Sequence, residues 1–337
     1  MGMQRAIVLA PPIYLCYNRH QKTIKETMRV LVTGGAGFIG SHVVDVLIEA
    51  GHRVSVVDSL WELGGGRLEH VNPQAKFYQV DVRDAALSDV FEQERPEAVC
   101  HLAAQHSVKI SGDDPVHDAQ VNVLGLINLL QCCTRFGTRK VVFASSGATY
   151  GTVEEMPVDE STPQHPESPY GITKLASEYY LRFWKETYNL DFTALRYGNV
   201  YGPRQDPTGE AGVIAIFAHA ILLGQPVRID WDGEQQKDYV YVGDVARANL
   251  LALTRGSGEP FCIATGKGTS VNALYRGLAD AVGREVEIVH APKRTGDIYL
   301  SYFDCRKAEE ELGWKAEVKL KEGMQLTVDY FMSVDCG

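Results

Sequence analysis

A glycine-rich turn between an apolar run and an amphipathic stretch constrains the fold of this chain more than any other feature. The apolar run is Val30 to Val32, and glycines follow at once at positions 34, 35, 37 and 40. Ile39, Val43, Val46 and Leu47 then recur at helical spacing, and the pattern stops before Gly51. Such a run is typical of a buried parallel strand. The order strand, tight turn, helix predicts the first unit of a Rossmann-like, doubly wound α/β sheet.

The same turn predicts a dinucleotide-binding site. Glycine allows the backbone to approach a pyrophosphate, and the helix that follows offers free N–H groups at its N-terminus. The predicted cofactor contacts here are Gly34, Gly37, Phe38, Ile39 and Gly40. The alternative is a structural glycine turn with no ligand.

A second strand, Arg53 to Val57, ends in Asp58, 18 residues after Gly40. A carboxylate at this strand end accepts hydrogen bonds from the adenosine ribose hydroxyls and would repel a 2′-phosphate. Asp58 therefore favours NAD over NADP, unless it is a surface aspartate.

Further strand candidates alternate with helical stretches, as βαβ units require. They are 76–80, 98–102, 140–144, 192–195 and 261–264. Small and polar residues follow four of them, in the segments 81–82, 103–106, 145–146 and 197–199. Because ligands bind at the carboxyl ends of parallel strands, these segments are candidates for one common site.

The change of pattern after residue 201 predicts a second, smaller and discontinuous domain. We expect an NAD-binding domain at 28–196 plus about 237–268, and a substrate domain at about 197–236 plus 269–331. The segment 201–237 is expected to lack regular alternation. Residues 1–27 are expected to be an upstream start or a mobile extension, and 332–337 a tail.

Composition narrows the function. The 337 residues carry a formal charge of −10 without a basic patch, which argues against nucleic acid as a partner. No apolar stretch reaches the roughly 18 residues that a membrane helix needs. The 7 cysteines show no C-x-x-C and no metal-ligand spacing with histidine. We expect a reduced, cytoplasmic protein without a metal site.

The pair Tyr170 and Lys174 predicts acid–base chemistry at a tyrosine. Positions four apart share one helix face, and an ammonium so close to a phenol favours the phenolate. Lowering a tyrosine pKa from about 10 to about 7 requires roughly 4 kcal/mol, which one lysine and one cationic nicotinamide could supply. Ser146, at the end of the fifth strand, completes a Ser-Tyr-Lys set. Without Lys174 and Ser146, a half-buried core aromatic would be the better interpretation of Tyr170.

Taken together, the motifs resemble the extended short-chain dehydrogenases/reductases of the NAD-dependent epimerase/dehydratase family, and within it the UDP-glucose 4-epimerases. The resemblance covers about Met28 to Thr327. The landmarks that carry it are 33–40, Asp81-Val82, 101–105, 143–151, 169–174, 195–204, 232–235, 238–242 and 312–314.

The resemblance implies NAD-dependent 4-epimerisation of a UDP-hexose, with Tyr170 as general base, Lys174 bound to the nicotinamide ribose and Ser146 on the sugar 4-oxygen. Additional cofactor contacts that it implies are Asp81, Val82, Ala103, Ala104, Gln105 and Tyr197. Implied substrate contacts are His106, Ser107, Ser146, Asn199, Lys237, Arg294, Asp297 and Ser301. It also implies a two-fold homodimer through the segments 116–133 and 170–188, each apolar on more than one side.

One departure and two alternatives remain open, while Gly147 and Ala148 argue against two related reactions. Lys237 stands where the family usually has arginine, and either acts as a point charge or has rotated to the surface. Gly147 and Ala148 replace the Asp-Glu pair of 4,6-dehydratases, and Ala148 replaces the glutamate of the related decarboxylases. A uronic-acid-sugar 4-epimerase is the nearest alternative function. A non-catalytic NAD-binding regulator is the alternative of another class.

Overall fold

A parallel sheet of seven strands organises the chain in the computed structural model, which describes residues 27–208, 212–293 and 298–335. The strands within these ranges are β1 (Arg29–Thr33), β2 (Arg53–Asp58), β3 (Lys76–Gln79), β4 (Ala98–His101), β5 (Lys140–Ser146), β6 (Asp191–Tyr197), β7 (Asn199–Tyr201), β8 (Val227–Asp230), β9 (Gln236–Tyr241), β10 (Glu259–Ile263), β11 (Gly268–Ser270), β12 (Ile288–Ala291) and β13 (Leu300–Ser301). The α-helices are α1 (Phe38–Glu49), α2 (Leu87–Glu94), α3 (Val108–Asp113), α4 (Pro115–Ala119), α5 (Gly125–Phe136), α6 (Pro169–Tyr188), α7 (Val213–Leu223), α8 (Val242–Ala252), α9 (Val271–Val282) and α10 (Leu320–Asp335).

The strand order of the large sheet is β10-β6-β5-β4-β1-β2-β3. Each predicted strand lies in it, with bounds within two residues of the expectation. The chain runs outward from β1 to β2 and β3, and then crosses back to β4 on the other side of β1. A crevice therefore opens at the carboxyl ends of β1 and β4. The predicted doubly wound α/β fold is thereby confirmed.

Helices cover both faces of the large sheet. Val43 and Leu47 of α1 pack with Val245 of α8 on one face, and all three are fully buried. On the other face, Leu129 of α5 and Leu181 of α6 belong to a second buried cluster with α2. Apolar residues of the strands therefore find cover on both sides, which explains the continuous apolar runs of the sequence.

The smaller domain is more regular than expected. The segment 201–237 contains α7 and β8, and β9 pairs with β7, β11 and β13 in a second sheet. Helices α7, α9 and α10 share a core with β8 and β9. These strands have only two to six residues each, which is too short for a reliable period of two.

The domain bounds also differ in detail from the expectation. Strand β9 lies in the small sheet, whereas α8 and β10 of the same predicted stretch, 237–268, join the large one. Helix α10 continues through Asp335, so residues 332–335 of the expected tail are helical. Residues 1–26 of the predicted extension lie outside the described residues. Among the helices of the described ranges, none combines the length and apolar character needed to cross a bilayer.

Candidate active site

A cavity of about 580 Å³ opens at the carboxyl ends of the large sheet's strands. Small-molecule sites typically have this size. The cavity brings together most of the predicted residues. Those that line it are Gly34, Gly37, Phe38, Ile39, Gly40, Asp58, Asp81, Val82, Ala103, Ala104, His106, Ser107, Tyr170, Lys174 and Tyr197.

Other predicted residues lie elsewhere. Gln105 is buried, and its side-chain amide donates to Ser107 O and Asp118 Oδ1, at 2.9 and 2.8 Å. It therefore supports the cavity wall rather than lining it. Asn199, Lys237 and Ser301 belong to strands β7, β9 and β13 of the small sheet. Arg294 and Asp297 lie outside the described residues.

The glycine-rich turn is required by close packing. Gly34 has φ +70°, and a Cβ there would lie 2.6 Å from Ala103 N. A Cβ on Gly40 would lie 2.0 Å from Gly34 O. The sequence interpretation assigned these glycines to cofactor approach; the structure adds that β1, the turn and α1 could not pack with larger residues.

The residues at this turn fit NAD. Gly37 precedes α1 without a side-chain cap, and Phe38, Ile39 and Gly40 of its first turn line the cavity. The uncapped N–H groups and the positive end of the helix dipole suit a pyrophosphate. Asp58 lines the cavity at the end of β2, and its carboxylate accepts from Ala36 N of the turn and from Leu60 N. Burial raises the pKa of Asp58, and these two hydrogen bonds partly offset that effect.

Helix α6 positions Tyr170 and Lys174. Ser168 caps the helix by accepting from Gly171 N at 3.1 Å, and Pro169 occupies the first position, where its missing N–H costs nothing. Tyr170 therefore lies in the first turn, and Lys174 one turn later. Ser146 ends β5, where its hydroxyl is near enough to the Tyr170 phenol to lower its pKa in part. The predicted Ser-Tyr-Lys set is thus assembled from a strand end and the start of a helix.

The electrostatics of the set differ from the sequence expectation. Lys174 Nζ lies 5.7 Å from the centroid of the Tyr170 ring and donates to Ala144 O at 2.8 Å. Loss of solvent around the Tyr170 hydroxyl raises its pKa to about 12, although Ser146 lowers it in part. Burial lowers the pKa of Lys174 to about 8. Reaching a pKa near 7 would therefore take roughly 7 kcal/mol rather than 4.

Sequence reasoning missed a polar group beneath α6. Asp118, Asn122 and Thr173 are buried and hydrogen-bonded to one another. The available signal was the pair Asp118 and Asn122, four residues apart inside a segment that is apolar on more than one side. Polar groups in such a place are retained only when they are fully hydrogen-bonded.

The small sheet carries the predicted sugar-side residues. Ser301 pairs in register with Lys237, whose Nζ donates to Ile298 O at 2.7 Å. Lys237 therefore reaches the chain next to 294–297 rather than the surface. Tyr299 contacts Trp231 and donates to Asp232 Oδ2 at 3.2 Å.

Comparisons with known proteins agree with this geometry. The family model described as GDP-mannose 4,6 dehydratase matches residues 31–327. The UDP-glucose 4-epimerase of Mycolicibacterium smegmatis is 44% identical, covering 90% of this chain and 98% of its own length. The structure of UDP-glucose 4-epimerase from Thermotoga maritima with UDP-glucose is 50% identical, with a TM-score of 0.89, and covers 91% of this chain and 99% of that one. The Thermus thermophilus UDP-glucose 4-epimerase in complex with NAD is 46% identical, with a TM-score of 0.86, and covers 90% and 99%.

Fold and cavity define an NAD-dependent enzyme of the extended short-chain dehydrogenase/reductase class. Within that class, the chain belongs to the NAD-dependent epimerase/dehydratase family, in the branch of the UDP-glucose 4-epimerases.

Proposed function

We propose that the protein interconverts UDP-glucose and UDP-galactose by epimerisation at C4, with Ser146, Tyr170 and Lys174 as its catalytic residues. The observation that carries the proposal is that Tyr170 and Lys174 line one cavity, with Ser146 near enough to the Tyr170 phenol to lower its pKa. The 4-epimerase relatives support the assignment of the reaction.

The residues divide the proton chemistry between them. Gly34, Gly37 and Asp58 would hold NAD in this cavity, where it would supply the hydride acceptor and donor for C4. Tyr170 Oη accepts the proton of the 4-hydroxyl and later gives it back, so that the base is restored in each turnover. Ser146 Oγ bonds the same oxygen and orders the proton path. Lys174, whose ammonium is buried, stabilises the negative charge on the phenol oxygen.

Packing around Gly147 supports epimerisation over dehydration. Dehydration at C5 and C6 needs acid and base side chains after Ser146, where this chain has Gly147 and Ala148. A Cβ on Gly147 would lie 2.4 Å from Cζ of Phe303. The ring of Phe303 therefore occupies the place where a dehydratase acid would begin.

Replacement of Tyr170 by phenylalanine tests the function. Tyr170→Phe keeps the ring and removes the ionisable oxygen, so kcat should fall by at least about 100-fold. Formation of UDP-glucose from UDP-galactose is measured by coupling to a UDP-glucose dehydrogenase. Tyr188→Phe, at the exposed end of the same helix, is the matched control and should retain activity. Near-normal turnover of Tyr170→Phe would refute the mechanism. A wild type without activity on any UDP-hexose would favour the non-catalytic alternative.

Ser301 is the residue that we propose to set the range of sugars. In extended chain, alternate residues share a face, so Ser301 lies on the side of Phe303, which touches the catalytic loop at Gly147. The two nearby tyrosines are engaged elsewhere: Tyr299 on Trp231, and Tyr302 against Gly268. A small residue at 301 would leave room for an acetamido group at C2. The protein should therefore also accept UDP-N-acetylglucosamine.

Exposed aromatic residues on α6 support a homodimer. Tyr179 and Phe183, four residues apart, are 64% and 49% exposed. Val116 and Leu124, in the neighbouring helical segment, are 64% and 57% exposed. Contiguous exposed apolar surface is typical of an interface. A second copy related by a two-fold axis would cover both helices with the same surface of its own.

A further inference from the structure

A buried carboxylate lies behind the catalytic helix and has no role in the mechanism above. Asp118, near the end of α4, has 0% of its surface exposed. Its neighbour across the contact is Thr173 of α6, the residue before Lys174. A buried charge is costly unless other groups compensate it.

Neutral donors hold this carboxylate. Within the described residues, Gln105 Nε2 and Asn122 Nδ2 donate to Oδ1 at 2.8 and 3.0 Å, and Thr173 Oγ1 donates to Oδ2 at 2.8 Å. Burial raises the pKa of Asp118, and the hydrogen bonds from Thr173 and Gln105 partly offset that effect because they favour the ionised form. They satisfy the oxygen lone pairs but bring no positive charge.

Lys174 is the buried charge of opposite sign. Its side chain is almost fully enclosed, and its ammonium donates to the neutral carbonyl of Ala144. Asp118 thus contacts the residue next to Lys174 in α6, and each of the two buried charges is hydrogen-bonded to neutral groups. In a poorly polarisable interior their attraction extends beyond direct contact. Asp118 raises the pKa of Lys174 against the stronger effect of burial, and it also raises the pKa of Tyr170.

The other ionisable groups near this pair contribute less. His117 precedes Asp118 and faces its carboxylate. His101 lies near Lys174, but burial lowers its pKa to about 3, so it is neutral while the enzyme works. His106, at the cavity, also faces the lysine. Tyr197 lines the same cavity and interacts electrostatically with Tyr170.

We propose that Asp118 is a positioning residue whose negative charge sets the pH window in which Lys174 is cationic and Tyr170 serves as base. This inference rests on the proposed function. In the proposed mechanism, Asp118 contacts neither substrate nor cofactor. It acts through the charge states of the two residues on the cavity wall.

Loss of the Asp118 charge should shift the pH profile of kcat/KM in one direction. Tyr170 and Lys174 titrate as a pair, so the pH profile of kcat/KM reports two values that belong to both. Removal of a nearby negative charge makes every proton on the pair easier to lose. Both limbs of the profile should therefore move to lower pH together. A purely structural defect would lower the rate without moving the limbs.

Asp118→Asn is the test variant. Its amide oxygen can still accept from Gln105 and Asn122, and its NH₂ can donate to Thr173 Oγ1. The Thr173 hydroxyl would then donate to Tyr170 O, which lies 3.0 Å from Oγ1 in this structure. We expect both limbs to shift down by about one unit, the lower end of the effect of an opposite charge. Thr173→Val is the matched control: it removes one donor but keeps the charge, and should leave the limbs in place.

A second measurement does not depend on activity. In protein labelled with ¹³C-lysine, the Cε resonance of Lys174 is assigned by its loss in Lys174→Met. Its titration midpoint should lie lower in Asp118→Asn than in wild type, by about one unit. Asp118→Ser provides a smaller neutral replacement if the asparagine variant does not fold.

The outcomes separate the two proposals. Unmoved limbs and an unmoved Lys174 midpoint in the neutral variants would overturn the role of Asp118, and so would an equal shift in Thr173→Val. An inactive wild type would refute the proposed function instead, while the Lys174 midpoint would still decide whether Asp118 governs its charge.

Discussion

At the scale of single residues, Ser301 is the side chain that we propose to set the substrate range. A tyrosine there would place a ring beside Lys237, its partner in β9. Overpacking of this kind costs roughly 1–3 kcal/mol. Ser301→Tyr should therefore lower kcat/KM for UDP-N-acetylglucosamine by roughly 5- to 150-fold and spare UDP-glucose.

The comparison of the two substrates is the measurement, because a general defect would affect both. Ser333→Tyr, on the exposed surface of α10, is a control for the substitution itself and should change neither rate. Equal rates of wild type and Ser301→Tyr on the acetylated sugar would remove Ser301 from the pocket.

Residue identity was predictable where local chemistry demanded it. The glycines at 34 and 40 and the Tyr170–Lys174 spacing carry their geometry in the sequence. Gln105 does not, because whether a side chain after a strand faces the cavity depends on Asp118 and Ser107, to which its amide bonds. The spacing of Tyr170 and Lys174 shows that a positive charge is near the phenol, but it does not show the loss of solvent. In the chain itself, that loss raises the pKa of Tyr170.

At the scale of elements, α6 serves two surfaces. Lys174 and Leu181 are buried, whereas Tyr179 and Phe183 face outward beside Trp184 and Tyr188. The sequence indicated a helix apolar on both sides, and the part of the chain that the structure describes covers only one of them. The outward side is the surface that we assign to a partner subunit.

A charge on this outward surface tests the assembly. Phe183→Glu should convert the dimer to a monomer at micromolar concentration, because burial of an unpaired carboxylate is unfavourable. Mass in solution is measured by light scattering after size-exclusion chromatography. Leu223→Glu on α7 is the matched control, since Leu223 is 51% exposed and Phe183 49%. A wild type that is already monomeric would contradict the dimer.

The predicted helix at 116–133 illustrates the limits of periodicity. The chain forms α4, five residues of π-helix at Gln120–Leu124, and then α5. The wide turn holds Asn122, whose side chain bonds both Gln105 N and Gln105 O, at 2.9 and 3.0 Å. Such insertions follow from a tertiary hydrogen bond, often near a functional site, and leave no mark on the apolar pattern.

At the scale of the whole molecule, the large sheet was predictable and the small one was not. Strands such as β1 and β5 are buried on both faces and read as apolar runs. Strands β7, β11 and β13 have two or three residues, and they are assembled around β9 from distant parts of the chain. Their existence depends on β9 as a template rather than on their own sequence.

The buried charge of Lys174 should make the free energy of unfolding depend on pH. Its pKa is about 8 in the folded chain and about 10.4 unfolded, so the unfolded state binds more protons between these values and stability rises with pH in that window. Below pH 8 the full penalty, about 3 kcal/mol, is present. Lys174→Met removes it but also loses a hydrogen bond of about 1 kcal/mol.

We therefore expect Lys174→Met to be more stable than wild type by about 2 kcal/mol at pH 7, with the difference gone or reversed near pH 10. Urea unfolding of NAD-free protein at both pH values measures this, because cofactor binding would add its own stabilisation. Lys321→Met, at an exposed position of α10, should show a difference from wild type that does not change with pH. A constant difference for Lys174→Met would contradict the buried charge.

The contact between Gly147 and Phe303 bears on how reaction types could diverge in this scaffold. An acidic residue at 147 must displace a fully packed ring, and truncation of Phe303 first would leave a void costing about 3–5 kcal/mol. Either single step leads to a weaker protein without the new chemistry. Evolution from epimerase to dehydratase therefore requires both substitutions together, or a chain stable enough to tolerate the first one alone.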